Sequence, residues 1–134
     1  MCYAEQYWPT VLSELTGTDL PLRVLESRGE RLPAEDPVVA LSRPAYIGGQ
    51  EFDAVILVGL EEGVYPPRVV DNDALAVAVE QQSLREIYLG VTRARYQVHV
   101  VLSSDATLSP VLAEAARAGL LVTSALASGG DRHS

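Results

Sequence analysis

The chain has 134 residues, of which 48% are hydrophobic, and this size and composition suit one domain with a single packed core. Ten basic residues against eighteen acidic ones give a formal charge of -8, and this composition argues against the chain as a whole being a disordered tail or a histone-like DNA-binding protein. All ten basic residues are arginines. The lysine that a phosphate-binding P-loop or a Schiff base requires is therefore missing.

The sole cysteine, Cys2, excludes an internal disulfide and a cysteine-based zinc site. The longest apolar run, 54–60, is far shorter than the roughly 20 residues of a membrane-spanning helix. The first eight residues lack the basic start and apolar stretch of a signal peptide. We therefore expect a soluble cytoplasmic protein in a reducing compartment, with no membrane partner.

The first half of the chain predicts one helix and three strands. Apolar residues recur at helical spacing from Tyr7 until Gly17 ends the pattern. Strands are predicted over 20–25 and 37–41, with a polar surface loop between them. Residues 52–60 are apolar without alternation, which is typical of a central parallel strand that helices cover on both faces.

The second half of the chain alternates helix and strand. A loop leads to Asp73, a candidate cap for a helix that runs to about Val91. The apolar spacing of this helix predicts a stripe packed on the sheet. The stripe consists of Leu84, Ile87, Tyr88 and Val91. A strand over 97–102, a helix over 110–118 and a disordered tail over 123–134 follow. This order predicts an α/β fold with a mostly parallel sheet flanked by helices.

Two polar clusters are assigned to the carboxyl ends of predicted strands and the turns beside them, where open α/β sheets bind ligands. The first, 48–51, has glycines that permit close backbone approach, and Glu51, whose carboxylate can accept hydrogen bonds from ribose hydroxyls. The second, 92–95, offers Arg93, whose guanidinium can stabilise charge on a transferring phosphoryl group. On spacing alone, a glycine turn with a solvated glutamate and an arginine paired with surface carboxylates are the commoner explanations.

Other polar residues give weaker signals. Glu61 and Glu62 are adjacent and point to opposite sides of an extended chain, so we expect water to solvate them rather than paired carboxylate chemistry. His99 lies within an apolar strand and His133 lies near the end of the chain. These two histidines do not form an evident metal site or acid–base pair, and no metal is expected.

The two polar clusters belong to longer runs that resemble a known family. Residues 49–66, GQEFDAVILVGLEEGVYP, are similar to motif V and the following strand and loop of UvrD/Rep-type superfamily-one DNA helicases. Residues 85–95, REIYLGVTRAR, look like motif VI of the same family, in the same order along the chain. Together the resemblance covers about residues 38–103, roughly half of the chain.

The resemblance implies that residues 1–122 form the second RecA-like motor domain of such a helicase. In that family ATP binds in the cleft between two RecA-like domains, and the first domain supplies the P-loop and the magnesium-binding acids. Arg93 matches the catalytic arginine finger of motif VI, and Glu51 matches the motif V acid that contacts the nucleotide sugar. Gly49, Arg85 and Thr92 complete the nucleotide-binding set that the resemblance implies.

The sequence departs from the family pattern in three places. Ala45 and Gly48 stand where the family usually has a histidine and a lysine, which weakens the expected coupling of ATP to DNA. Leu84 replaces the first arginine of a motif VI pair, and Glu86 stands where an apolar residue is usual. The P-loop domain is not among these residues.

The resulting hypothesis is a motor domain that acts on ATP and DNA only with a P-loop domain, supplied in cis or in trans. The isolated chain is expected to be inactive as an ATP hydrolase. The alternative is a catalytically silent module, derived from a helicase domain, that binds a protein partner.

Overall fold

The computed structural model describes residues 1–28, 30, 32, 38–103 and 105–119. Within these residues the chain is a mixed α/β protein with two pairs of parallel strands and three α-helices. The predicted tail at 123–134 lies outside the described residues, as does part of the polar loop before residue 38.

The helices and strands lie close to their predicted positions. Their bounds are α1 Trp8–Thr16, β1 Leu22–Val24, β2 Val39–Leu41, β3 Phe52–Val58, α2 Asp73–Thr92, β4 Ala94–Val101 and α3 Pro110–Arg117. The predicted cap of α2 is off by one residue. The side chain of Asn72, rather than that of Asp73, accepts a hydrogen bond from the Leu75 amide at 2.9 Å. Asn72 has an extended backbone, which suits an N-cap.

Both strand pairs are parallel, as the sequence predicts: β1 pairs with β2, and β3 pairs with β4. The named strands of the described residues form two separate two-stranded sheets, however, and not the one sheet that was predicted. The first residues of the chain, including Cys2 and Tyr3, lie between the two strand pairs. The Cys2 amide donates to the Ser42 carbonyl beyond β2 at 3.0 Å, and the Tyr3 amide donates to the Val58 carbonyl of β3 at 2.8 Å. Hydrogen bonds therefore reach β3 along both edges, and it occupies a central position.

The two faces of β3 have different environments. Val55 and Leu57 are buried in the core with Ile87 of α2. Ile56, which points to the opposite face, is 50% exposed. An open cleft of about 820 Å³ separates α1 from this second face. The prediction that helices cover both faces of the strand is therefore wrong, because α1 stands off the sheet instead of packing on it.

The predicted apolar stripe of α2 is also wrong. Of its four members only Ile87 is buried, while Leu84, Tyr88 and Val91 are exposed. The helix instead turns Ser83, Ile87 and Gly90 toward the sheet. These three positions share the spacing of one helix face, but two of them are too small to signal a core face by hydrophobicity.

The small residue at position 90 allows α2 to approach the sheet closely. A Cβ atom added at Gly90 would lie 2.1 Å from the Tyr3 hydroxyl oxygen and 3.3 Å from a methyl group of Leu57. The Tyr3 hydroxyl donates to the backbone carbonyl of Glu86 at 2.9 Å, which fixes the helix at this distance.

Tyr65, in the loop that follows β3, contacts both Tyr3 and Glu86 of α2. Its ring packs edge-on against the Tyr3 ring with centroids 5.1 Å apart, and its hydroxyl donates to the Glu86 carboxylate. Burial raises the pKa of both tyrosine hydroxyls, and the nearby Glu86 adds to the effect. Both hydroxyls therefore remain protonated donors at neutral pH.

Replacing Gly90 by alanine tests this close approach. Alanine favours an isolated helix by roughly 1 kcal/mol, yet we expect Gly90→Ala to lower the free energy of unfolding by about 1 to 3 kcal/mol because the new methyl group meets the Tyr3 hydroxyl. Urea denaturation gives the value. Adding Tyr3→Phe to Gly90→Ala should recover part of the loss.

Gly17→Ala is the matched control. A Cβ atom at Gly17 meets its nearest atom at 3.6 Å, an ordinary contact, so this variant should keep the stability of the parent chain. A Gly90→Ala variant more stable than the parent would contradict the packing described for α2.

Candidate functional site

The two polar clusters meet at the amino ends of β3 and β4. Gly48 and Gly49 form a turn shortly before β3, and Arg93 lies between α2 and β4. The Arg93 Nη1 atom donates to the Gly48 carbonyl at 3.3 Å, and the Phe52 amide donates to the Arg93 carbonyl at 2.7 Å. The structure therefore brings together two segments that are far apart in the sequence.

The turn before β3 depends on glycine at one position in particular. Gly48 has a φ of 63°, in the left-handed region that favours glycine. Gly49 does not share this backbone geometry, and a Cβ atom there would lie 3.8 Å from Arg93 Nη1, an ordinary contact. Gly48, which the resemblance aligns with a lysine, is thus the residue of this turn whose backbone suits glycine.

The Arg93 side chain is half-buried and only partly engaged by the protein. Its Nη2 atom lies 3.4 Å from the Thr92 hydroxyl oxygen. Its Nε atom is buried and has no hydrogen-bond partner within the described ranges. Among those residues no carboxylate forms an ion pair with this guanidinium. A buried N–H group without a partner is costly, so this donor is suited to an added acceptor.

Glu51 lies on the same edge but has a different partner. Its Oε1 atom is 3.9 Å from Arg95 Nε, and Arg95 Nη1 is 3.6 Å from Asp53 Oδ1. All three side chains are exposed, and ion pairs of this kind contribute little to stability. Glu51, Asp53 and Arg95 also line the open cleft beside α1.

Arg85 is separate from the other predicted site residues. It is exposed on α2, eight residues before Arg93, which is about 12 Å along a helix axis. Of the ion pairs between described residues, none involves Arg85. Gly49, Thr92 and Arg93 lie together, and Glu51 lies close by in sequence.

The predicted location at the carboxyl ends of the strands is wrong. The first cluster precedes β3 and the second runs into the first two residues of β4, so the parallel pairing places both at the amino ends of these strands. The carboxyl ends are closed by Glu61, which follows β3 and is 3% exposed. Its carboxylate accepts hydrogen bonds from the Tyr7 hydroxyl at 2.6 Å and from the Ser103 amide at 2.9 Å.

The burial of Glu61 also corrects the expectation that water solvates it. Burial raises the pKa of the Glu61 carboxyl, but the hydrogen bonds from Tyr7 and Ser103 outweigh it and hold the pKa below its ordinary value. Glu62 is exposed, so the two neighbours do point in different directions. Glu61 ties the start of α1 to the ends of β3 and β4, which is a structural role.

Within the ranges given above, no group of three or more histidine, cysteine, aspartate or glutamate side chains is placed to hold a metal ion. No helix in the same part of the chain is long and apolar enough to cross a membrane. No protein-family model and no curated protein matches the chain. The helicase resemblance therefore remains a prediction from the motif residues.

Removing the Glu61 carboxylate should destabilise the fold. We expect Glu61→Ala to lower the free energy of unfolding at neutral pH by about 1 to 3 kcal/mol, because the Ser103 amide loses its acceptor. Urea denaturation measures the change. The exposed neighbour provides the control, since Glu62→Ala should change stability by less than about 0.5 kcal/mol.

The effect of Glu61 should also depend on pH in a defined direction. A carboxyl whose pKa is lower in the folded state stabilises the fold at pH values above its ordinary pKa of 4.5. That contribution is lost as the pH falls through the lower folded-state pKa. The difference between the parent and Glu61→Ala should therefore shrink in acid, and a difference that stays constant down to pH values well below 4 would contradict the role given to the ionised carboxylate.

Proposed function

We propose that the chain is the second RecA-like motor domain of a UvrD-like ATP-dependent DNA helicase. Arg93 acts as the arginine finger and Glu51 contacts the nucleotide sugar, at an ATP site completed by a P-loop domain that also supplies magnesium. The observation that carries the proposal is the hydrogen bond from the Phe52 amide to the Arg93 carbonyl at 2.7 Å, since it joins the two segments that resemble motifs V and VI.

The state of the Arg93 guanidinium supports this role. An arginine finger needs donors that the protein itself does not saturate, because they must reach phosphate oxygens as negative charge develops there. Arg93 makes one contact to a carbonyl and one to a hydroxyl, and its buried Nε atom has no acceptor in the described part of the chain. A phosphate oxygen would satisfy such a donor.

The position of Glu51 is compatible with a sugar contact. Its pairing with Arg95 is long and exposed, so the carboxylate keeps oxygen lone pairs available to hydroxyl donors. Gly49 lies two residues before Glu51 and leaves the adjoining backbone accessible. A ribose at this turn would have the Glu51 carboxylate as an acceptor, one residue before Phe52, whose amide binds the Arg93 carbonyl.

The sheet supports a RecA-like domain in its parallel pairing and in the central place of β3. Among the described residues no helix packs on the face that carries Ile56, whereas the RecA-like proposal requires a helical layer there. Additional chain packed across this face would complete the arrangement expected for a parallel sheet, which is a sheet between two layers of helices.

The ATPase role of Arg93 is tested with a P-loop domain present. The isolated chain should hydrolyse no ATP, because it has no lysine and no P-loop to hold the triphosphate. In the complete protein, or with the P-loop domain added in trans, Arg93→Ala should lower kcat by about 10³-fold. Steady-state phosphate release measures the loss.

Arg23→Ala provides the control for that experiment, because Arg23 is an exposed arginine on β1 and belongs to neither cluster. Its kcat should match that of the parent. A loss of less than about tenfold for Arg93→Ala would rule out the finger role, since a finger contributes about 10³ to 10⁵ in rate.

The second candidate function is a catalytically silent module that binds a protein partner. The exposed apolar side chains of α2 favour it, because a row of such side chains is typical of an interaction surface. The ATPase experiment separates the two candidates. A silent module would give no turnover with any P-loop domain, and replacing Arg93 would then have no catalytic effect.

The electrostatics predict weak binding of DNA by the isolated chain. The formal charge is -8, and two arginines that could build a basic groove are already engaged. Arg43 pairs with Glu5 and lies 4.0 Å from the centre of the Trp8 ring, and Arg95 pairs with acidic neighbours. Affinity for nucleic acid depends on cationic groups that displace counterions, so these engaged arginines should contribute little.

Fluorescence anisotropy with a labelled single-stranded oligonucleotide tests this expectation. At physiological salt the dissociation constant should be weaker than about 1 μM, within or beyond the usual range for non-specific binding. Any binding at low salt should fall steeply as salt is added. A tighter constant at physiological salt would contradict the argument from charge.

A further inference from the structure

The outer side of α2 carries a row of residues with alternating spacings of four and three. The row consists of Val77, Gln81, Leu84, Tyr88 and Val91. We call this row the α2 seam. The spacing is that of the contact positions in a two-stranded coiled coil, and the row spans two heptads of a 20-residue helix.

The α2 seam is exposed although it contains four large apolar side chains. Val77 is 55% exposed and Tyr88 is 71% exposed, and Leu84 and Val91 are also exposed. The helix packs on the sheet through a different face, formed by Ser83, Ile87 and Gly90. Single exposed apolar residues are common, but a continuous row along one helix is typical of a docking surface.

Charged residues on the two sides of the seam indicate what occupies it. Glu80 precedes Gln81 on one side, and Arg85 follows Leu84 on the other side. Both side chains are exposed, and neither forms an ion pair with another described residue. Opposite charges at these two flanking positions form salt bridges between the helices of a coiled coil and help to select the partner and its direction.

A second copy of the same helix fits these charges when the two helices are parallel. Glu80 of each copy then faces Arg85 of the other, which gives two symmetry-related ion pairs. In an antiparallel pair each flank faces the same flank of the partner, so Glu80 does not meet Arg85. A parallel pair also places Gln81 opposite its own copy, where the two amides can hydrogen-bond and fix the register.

We propose that the chain forms a parallel homodimer through the α2 seam. The proposal rests on the exposed residues of α2 and not on the proposed ATP site, although the resemblance also assigns Arg85 to that site. Two heptads give a small interface, so the dissociation constant should lie between about 1 μM and 1 mM. The negative charge of each copy opposes association, and moderate salt should therefore weaken the self-repulsion while leaving the apolar contacts in place.

Sedimentation equilibrium of the full chain over a range of concentrations tests the proposal. The parent chain should reversibly dimerise, and Leu84→Glu should be monomeric because it places a charge at the centre of the seam. Leu75→Glu is the matched control. Leu75 is 50% exposed on the same helix but lies nine residues, or about two and a half turns, from Leu84 and so faces the opposite side.

The control variant should dimerise as the parent does, and circular dichroism should show that both variants keep their helices. A parent chain that stays monomeric up to about 1 mM would overturn the proposal. A Leu84→Glu variant that dimerises as strongly as the parent would also overturn it, because the interface would then lie elsewhere.

A charge exchange tests the parallel arrangement. Glu80→Arg alone places like charges opposite each other at both flanking contacts, and so does Arg85→Glu alone, so each variant should dimerise at least tenfold more weakly than the parent. An equimolar mixture of the two variants should restore dimerisation, since each mixed pair regains two opposite-charge contacts. A mixture that associates no better than its components would overturn the parallel arrangement.

Discussion

The contact of Tyr3 with α2 sets the geometry on which the rest of the structure depends. The Tyr3 amide binds β3 and its hydroxyl binds the carbonyl of Glu86, so one residue links the sheet to the helix. Because Gly90 has no side chain at the point of closest approach, the helix can rest on the tyrosine in only a narrow range of rotations. This rotation turns Ser83, Ile87 and Gly90 toward the sheet and the α2 seam outward.

Local sequence patterns predicted where the helices and strands begin and end better than they predicted which of their faces are buried. The bounds of α1 and α2 follow from apolar periodicity and from end signals such as Gly17 and the polar residues before position 73, which act over a few residues. The buried face of α2 was not predictable in this way, because hydrophobicity points to Leu84 and Tyr88, whereas close approach to Tyr3 selects Gly90. A glycine at the contact between a helix and a sheet has no apolar side chain, so a hydrophobicity pattern does not mark it as part of the buried face.

The candidate site was likewise predicted only in part. The sequence predicted two clusters, and the contact between Arg93 and Gly48 brings parts of both together. The edge of the sheet was wrongly assigned although the predicted strands, 52–60 and 97–102, already begin after the two clusters; the general tendency of α/β sheets to bind ligands at their carboxyl ends was given more weight than these bounds. The role of Glu61 was also hidden, since its hydrogen-bond donors lie 54 and 42 residues away along the chain. Partners at such distances leave no local pattern around a single acidic residue.

The dimer and the ATP site place different demands on α2, and Arg85 is the residue that both would use. The resemblance assigns Arg85 to nucleotide binding, whereas its place beside the α2 seam suits it to Glu80 of a second copy. Arg93 follows the last residue of the helix, so a parallel pair would carry both Arg93 side chains at the same end of the dimer. Two P-loop domains would then have to approach from one side. Because Arg85 lies about 12 Å from Arg93 along the helix axis, its engagement in the dimer leaves the contact between Arg93 and the Gly48 turn intact.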